Sequence, residues 1–462
     1  MNGSLRSLLL ASVFLTALLA GCGDDANQGG SGGAYSAADP WSTEPSFANP
    51  QPASVTHFEA VARLAAADGS PWPTAGGNFV LGDYVFSSAL GSGFFISDVS
   101  DPEHPVLVYN STGESSETPF SRKAEVIAHP DGRRTLVLAT QSNGMHFWDV
   151  TDPANAVWAS SLEFERNHYI AVMPGTEYVW NNPSAGAGGS NALVDASDPY
   201  NPRILGDYGT HGCHGTTFQG GPGQALWRGY CAGIQRTEVW DMTGFDPKAH
   251  DFGIALYAVV DIADNPVSGT PITNPPIPSN PTGVTTTPVR SLHHFATASA
   301  DGNILIIGDE HRGGQNPGAC FVNDPVTGKS TPLGALWFFD ISNPADPQML
   351  SWISPPLVAP VVPTLPTSPN TDPSAVGQVV GGTYTAVPNC TAHFGQVVPG
   401  EDKIVLGWYS AGVLLIDFSD PTAPVILDQY HPEGVNTWSA RIWNGYVFTG
   451  DMNRGMEVLR LA

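Results

Sequence analysis

The chain has 462 residues, with 43 Asp and Glu against 18 Lys and Arg, giving a formal net charge of −25, yet only 13% of its residues are charged. It is 41% hydrophobic and 10% aromatic, with 51 Gly and 41 Pro. That apolar content excludes a disordered chain, the lack of a G-x-y period excludes collagen, and few charges with many turn-formers exclude long surface helices. A strongly negative field also disfavours nucleic acid as a partner. What remains is a turn-rich, all-β, acidic protein, long enough for one large or two ordinary domains.

Residues 1–21 read as an export signal, with Arg6 as its positive end and Leu8–Leu19 as its apolar core. Leu19-Ala20-Gly21-Cys22 then matches a bacterial lipobox. Its thiol is the group that receives the lipid, so Cys22 is the expected lipidation site. Residues 22–50 form the lipidated Cys and a tether rich in Gly, Ser, Ala and Asn. No second apolar run has transmembrane length, so the expected link to the membrane is the lipid alone. Gly23 after the Cys favours, by resemblance to bacterial sorting rules, the outer membrane or cell surface.

From residue 51 to 462 one phrase recurs: an apolar strand, Asp, Ser or Thr, then Asp-Pro or Asn-Pro. The copies are Phe95-Ile-Ser-Asp98-Val-Ser-Asp-Pro102, Phe147-Trp-Asp149-Val-Thr-Asp-Pro153 and Leu193-Val-Asp195-Ala-Ser-Asp-Pro199. They continue with Val239-Trp-Asp241-Met-Thr-Gly-Phe-Asp-Pro247, Phe338-Phe-Asp340-Ile-Ser-Asn-Pro344 and Leu415-Ile-Asp417-Phe-Ser-Asp-Pro421. Counted from the first Asp, the spacings are 51, 46, 46, 99 and 77. The first three approach the ~40–45 residues of a propeller blade, and the last two fit a blade plus an insertion. Two strands precede each phrase and another follows its Asp-Pro, a four-stranded meander. Asp-Pro suits the turn, because Pro fixes φ and Asp can cap the turn with its carboxylate.

A seventh unit, from Thr437 to Leu461, stops after its third strand. The alternating stretch Val55–Leu64 can supply the fourth, closing the ring and removing exposed sheet edges. The expected fold is therefore an all-β, seven-bladed propeller of four-stranded antiparallel blades, with six blades as the fallback. The phrase Val-Asp-x-Ser-Asp-Pro after an apolar strand resembles the LVIVD-repeat β-propellers of secreted and surface bacterial proteins. The resemblance runs over about residues 75–462 apart from the insertions. It implies the fold and says almost nothing of activity.

Aligned on their turns, four successive inner strands open with a histidine: His168, His214, His294 and His393, each six residues before the turn. At that position blade 2 has Ala124, blade 7 Trp438 and blade 1 about Gly76. Equal phase in equal strands puts four imidazoles at one depth of the channel. Neutral imidazole is the commonest transition-metal ligand, so this ring is a candidate site for Cu, Fe or Zn. Duplication that keeps one histidine for a blade-to-blade hydrogen bond gives the same pattern. The constellation is similar to the iron site of carotenoid oxygenases and the copper site of the methanethiol-oxidase family, by analogy of architecture only. Ca²⁺ in the acidic loops is a further option. Second-to-third-strand loops flank the ring, which makes Glu310, His311 and Asp451 candidate acid–base groups. His211 and His293 stand beside it as substitutes, while His104, His129, His146, His250 and His431 fall in turns or outer strands.

Three insertions, at about 264–290, 313–334 and 355–391, emerge by strand order on the histidine face, where long loops carry binding. A protein or small-molecule ligand is expected there, on a monomer. After Cys22 four cysteines remain, an even number in an oxidising compartment. Cys213 with Cys231, and Cys320 with Cys390, are the expected disulfides. No Gly-x-Ser-x-Gly elbow, P-loop or dinucleotide fingerprint occurs in its required context. Two functions stand: a surface-anchored binding scaffold, or a metal-dependent oxidoreductase.

Overall fold

The computed structural model describes residues 57–64, 75–89, 93–111, 121–141, 144–183, 191–209, 211–234, 236–261, 278–280, 283–284, 292–310, 321–323, 330–332, 334–355, 379–380, 383–384 and 391–462. Seven four-stranded antiparallel sheets form the body, and three two-stranded hairpins lie in the insertions. The single helical element described is a 3-10 turn, Pro153–Asn155. Among the described residues no helix is long and apolar enough to cross a membrane.

The innermost strands of blades 1 to 7 are Ala75–Leu81, Lys123–Ala128, Tyr169–Val172, Gly215–Gln219, His293–Ala298, Gly395–Val397 and Thr437–Trp443. Each packs on the inner strands of both neighbouring blades, so the seven close a circle around a channel. Closure follows the anticipated route. Phe58–Arg63 pairs antiparallel with Glu457–Leu461, Phe58 facing Leu461, and completes blade 7. The first described strand thereby covers the edge that the last would otherwise expose.

The repeated phrase works as turn chemistry. Ser100, Thr151, Ser197, Thr243, Ser342 and Ser419 each donate their backbone N–H to the aspartate two residues earlier, at 2.8–3.1 Å. The second Asp or Asn repeats this one step on, with Glu103, Ala154, Tyr200, Lys248, Ala345 and Thr422 as donors. Just before the first Asp, blades 1 to 6 each carry a register shift between third and outer strands, such as Ile96/Ser97 and Phe147/Trp148. A bulge of this kind increases strand twist, which a propeller blade needs from inner to outer edge. Blade cores are apolar and sealed: Trp180, Trp240, Phe147 and Phe338 are fully buried. Much of the acidity is thus distributed, one or two turn carboxylates per blade.

Cys213 and Cys231 form a disulfide, with Cα atoms 5.2 Å apart. Cys22, His311, Cys320 and Cys390 lie outside the described residues.

Candidate metal centre

Strand pairing fixes which inner-strand residues share a level. The backbone N–H of His168, His214 and His393 donates to the O of Asn182, Ala232 and Gly407, and each acceptor lies four residues beyond the second-strand residue facing the repeated Asp. In blade 5, Phe295 pairs with Gly308, which puts His294 at the same level. Gly76 and Trp438 fill the position in blades 1 and 7. Blade 2 corrects the sequence alignment. Arg122 N–H donates to Ala139 O at 2.8 Å, so Arg122, and not Ala124, holds the ring position. The first hairpin of blade 2 is longer, with Ala128 still pairing Arg134, so counting back from its turn lands two residues too far along.

The four histidines converge. Ring centroids follow one another at 4.5 Å (His168 to His214), 4.7 Å (His214 to His294) and 3.8 Å (His294 to His393). Close strand approach makes this possible: a Cβ on Gly215 would stand 2.5 Å from His294 O, so the residue after His214 has to be glycine.

A loop position two residues beyond that second-strand acceptor supplies a lid of polar groups. Blade 2 places Gln141 there, blade 5 Glu310 and blade 6 Tyr409. Glu310 is 4% exposed and is the centre of the cluster. Its Oε2 lies 3.6 Å from His214 Nε2 and 3.7 Å from His294 Nε2, and its Oε1 lies 3.5 Å from His393 Nε2. Tyr409 O–H donates to Oε1. Gln141 and Tyr409 both have positive φ, 66° and 33°, an unfavourable backbone for residues with a side chain. Both use it to reach the ring.

Hydrogen bonds decide the tautomers. His393 Nδ1 lies 2.6 Å from Trp438 O, which can only accept, so Nδ1 carries the proton and Nε2 turns its lone pair toward Glu310. His168 Nδ1 is 2.8 Å from Gln141 Oε1 and is protonated by the same argument. An oxygen held on Nδ1 in this way is the usual support of a metal-binding imidazole. His294 Nε2 is 3.2 Å from Tyr169 O–H. Among the described residues, His393 Nε2 has no hydrogen-bond partner.

Burial sets the charge states. It pulls His214 down to about 3, with Arg122 adding to the effect, and holds His168, His294 and His393 well below the usual imidazole value. It also lifts Glu310 to about 8, against the opposing pull of Tyr409 and Arg122. Tyr409 is held well above the usual phenol value by burial and by Glu310. Without a cation, then, the centre at neutral pH is a protonated acid among neutral imidazoles.

This donor set suits a divalent transition ion. His214, His294 and Glu310 each present one ligand atom, all within 4.8 Å of one another, and all three residues are buried. Bonds of ~2.1 Å in a tetrahedral shell separate donors by about 3.4 Å, so the Glu310 distances of 3.5–3.7 Å need contract only by a few tenths of an ångström. Two imidazoles and a carboxylate leave coordination positions open, with His393 and His168 as neighbours. The sequence expected a four-histidine site with Glu310 beside it; the geometry brings the four rings into one row and sets Glu310 against three of them, His214, His294 and His393.

The other candidates separate from this cluster. Asp451 accepts from the backbone N–H groups of Asn436, Asn453 and Arg454 and from Thr437 Oγ1–H, all within 2.9 Å, and serves as a loop clasp. His293 is turned to Thr237 Oγ1 at 2.8 Å, and burial pulls it down to about 3. His211 faces Glu238 at 3.4 Å and Cys231 Sγ at 3.8 Å. His129 is a buried structural residue between Glu177 and Thr135. Sequence reading missed Arg122, Gln141, Tyr169 and Tyr409. The signal for Gln141 and Tyr409 was their shared loop position with Glu310.

The LVIVD repeat family model matches residues 76–112, the whole of blade 1. No curated protein matches the sequence. Among solved structures, a chain titled "Crystal Structure of Mitotic Checkpoint Complex" is similar at 7% identity and TM-score 0.48, covering 90% of this chain and 96% of that one. A second, "Crystal structure of the Saccharomyces cerevisiae Sqt1", is similar at 11% identity and TM-score 0.45, covering 87% of each chain. Neither likeness says anything of what this chain does. The architecture defines a seven-bladed β-propeller. Blade 1 matches the LVIVD repeat model, and the other six blades share its four-stranded antiparallel architecture.

Proposed function

We propose that this propeller is an exported, lipid-anchored scaffold whose channel holds a divalent transition-metal ion on His214, His294 and Glu310. The supporting observation is the buried carboxylate set within 3.5–3.7 Å of three imidazole Nε2 atoms. A carboxyl buried there for structure alone would lower stability at neutral pH, because its ionised form is desolvated. A cation reverses that sign. The lipobox at Cys22 supports anchoring at the outer membrane or cell surface, and the insertions support a protein or small-molecule partner on the histidine face. Nucleic acid is disfavoured by the charge, and a monomer is the simplest state.

A second reading makes the centre an oxidoreductase. It is favoured by Tyr169 and Tyr409, whose hydroxyls reach His294 and Glu310, beside coordination positions that three protein donors leave open. The chain's own residues would then orient a bound molecule and move a proton between Tyr409 and Glu310.

Metal analysis of the full-length, detergent-extracted protein tests the proposal. Near one equivalent of Cu, Fe or Zn, absent from a folded His214→Ala/His294→Ala variant, is expected. A folded wild-type protein that takes up none of these ions when they are supplied would overturn it.

A further inference from the structure

The chain is tied down one residue before His214. Continuing the pairing of Gly215 with Ala232 would set Cys213 opposite Ile234. Ile234 instead bridges Leu292 of blade 5, and the segment before His214 lies back over the second strand of its own blade. A Cβ on Gly233 would stand 2.6 Å from the His211 ring and 2.8 Å from Gly212 O, so this close approach needs glycine. Cys213 thereby reaches Cys231, which faces Thr216, and the disulfide closes across His214 and Gly215. Both sulfurs belong to fully buried residues. Gly212 and Gly215 flank the Cys213-His214 pair, so the backbone has most freedom just where the imidazole has to be placed.

Blade 3 meets the same need with different chemistry. His168 N–H donates to Asn182 O as His214 N–H does to Ala232 O, and Ile170 faces Asn181 as Thr216 faces Cys231. Asn167 and Asn181 therefore occupy the places of Cys213 and Cys231. Asn167 Nδ2–H donates to Asn181 Oδ1 at 2.7 Å, and both residues are buried. Blade 6 has Ala392 and Leu406 at these two places, a pair that can form no tie, and its His393 is oriented through Nδ1 by Trp438 O. In blade 5 the second-strand place is Ile307, and His293 turns across to Thr237 of blade 4. Blades 3 and 4 thus each fasten the residue before the ring histidine to their own second strand, once by an amide hydrogen bond and once by a covalent bond. Asn191 Oδ1 adds a hold from the side of blade 3, accepting Cys213 N–H at 2.7 Å. Metal ligands need placing to within ~0.5 Å, which such outer supports provide.

We propose that Cys213 and Cys231 are positioning residues of the metal centre: their disulfide holds His214 at the ion, as the Asn167–Asn181 pair holds His168 in the ring. The proposal rests on His214 being a metal ligand. Two variants of the full-length protein, each copying a sister blade, test it. Zn²⁺ affinity is read by competition with a chromophoric chelator, and ligand geometry by the visible spectrum of the Co²⁺-loaded protein. Cys213→Ala/Cys231→Leu copies the untied pair of blade 6; it should lose at least ~10-fold in Zn²⁺ affinity and change the Co²⁺ spectrum. Cys213→Asn/Cys231→Asn copies the tied pair of blade 3; it should stay within about 3-fold of wild type although the covalent bond is gone. Cys213→Ser/Cys231→Ser is the smaller untied variant and is read in the same way where leucine does not pack. A disulfide that serves stability alone would shift the denaturation midpoint of every variant and the Zn²⁺ affinity of none. A folded untied variant with wild-type affinity and spectrum, or an Asn variant as weak as the untied one, would overturn the proposal. Wild-type protein that takes up neither ion would overturn the metal reading itself, and this proposal with it.

Discussion

Replacing Glu310 by Gln should move metal affinity and apo stability in opposite directions. Gln has the shape of Glu and keeps an Oε1 to accept from Tyr409 O–H. It removes the one anionic ligand among His214, His294 and His393. Loss of a partner outside the coordination shell commonly costs 10–100-fold in metal affinity, so loss of a direct ligand should cost at least about 100-fold. Apo stability goes the other way. Burial raises the folded carboxyl to about 8 from 4.5, so between those values the folded state keeps a proton that the unfolded state has lost. Stability therefore falls as pH rises through that window, by roughly 1.4 kcal/mol per unit, reaching about 3 kcal/mol at pH 7. Glu310→Gln should abolish that slope and stabilise the metal-free protein by a comparable amount. The assays are competition titration against a chromophoric chelator, and urea denaturation of chelator-treated protein from pH 4 to 8. A variant that keeps wild-type metal affinity, or that is less stable than wild type when metal-free, would show that Glu310 is a structural acid.

Other substitutions test the neighbouring steps. His214 has its folded value pulled down to about 3, so the unfolded chain binds the proton first as pH falls below the ordinary 6.5. Metal-free stability should thus drop between about pH 6.5 and 3, and His214→Gln should make that drop shallower in acid denaturation. Replacing Cys213 and Cys231 by Ser opens a loop of sequence separation 18 and should cost about 3 kcal/mol, read by denaturant midpoint. Glu59→Pro, at a hydrogen-bonded position opposite Arg460 by the parity that His57 and Ala462 set, should lower stability by several kcal/mol and expose an aggregation-prone edge, measured by thermal scan and light scattering. An unchanged midpoint in that variant would mean the closing strand is not needed.

The fold was legible because each blade carries the same turn chemistry at nearly fixed spacing. Asp149 and Asp417 cap turns in the structure for the reason that made them visible in the sequence: a short carboxylate can accept the N–H two residues on. Ring closure was legible because Thr437–Leu461 lacked an outer strand and Val55–Leu64 alternated. The histidine ring was legible from phase. Blade 2 was not, because turn length is free to vary while strand pairing is not. Counting from the turn found Ala124, and pairing to Ala139 identifies Arg122. Glu310 was found through its loop, yet its central place among three imidazoles depends on how blades 4, 5 and 6 pack. Asp451 shared the loop argument and failed it, since four donors hold its carboxylate in its own turn.

Anomalous diffraction from crystals of the protein, recorded at the Fe, Cu and Zn absorption edges, addresses the metal centre most directly. One peak within bonding distance, ~2.0–2.2 Å, of His214 Nε2, His294 Nε2 and a Glu310 oxygen is the expected result. Crystals grown with each ion supplied that show no peak between these residues, with Glu310 hydrogen-bonded to an imidazole in its place, would contradict it.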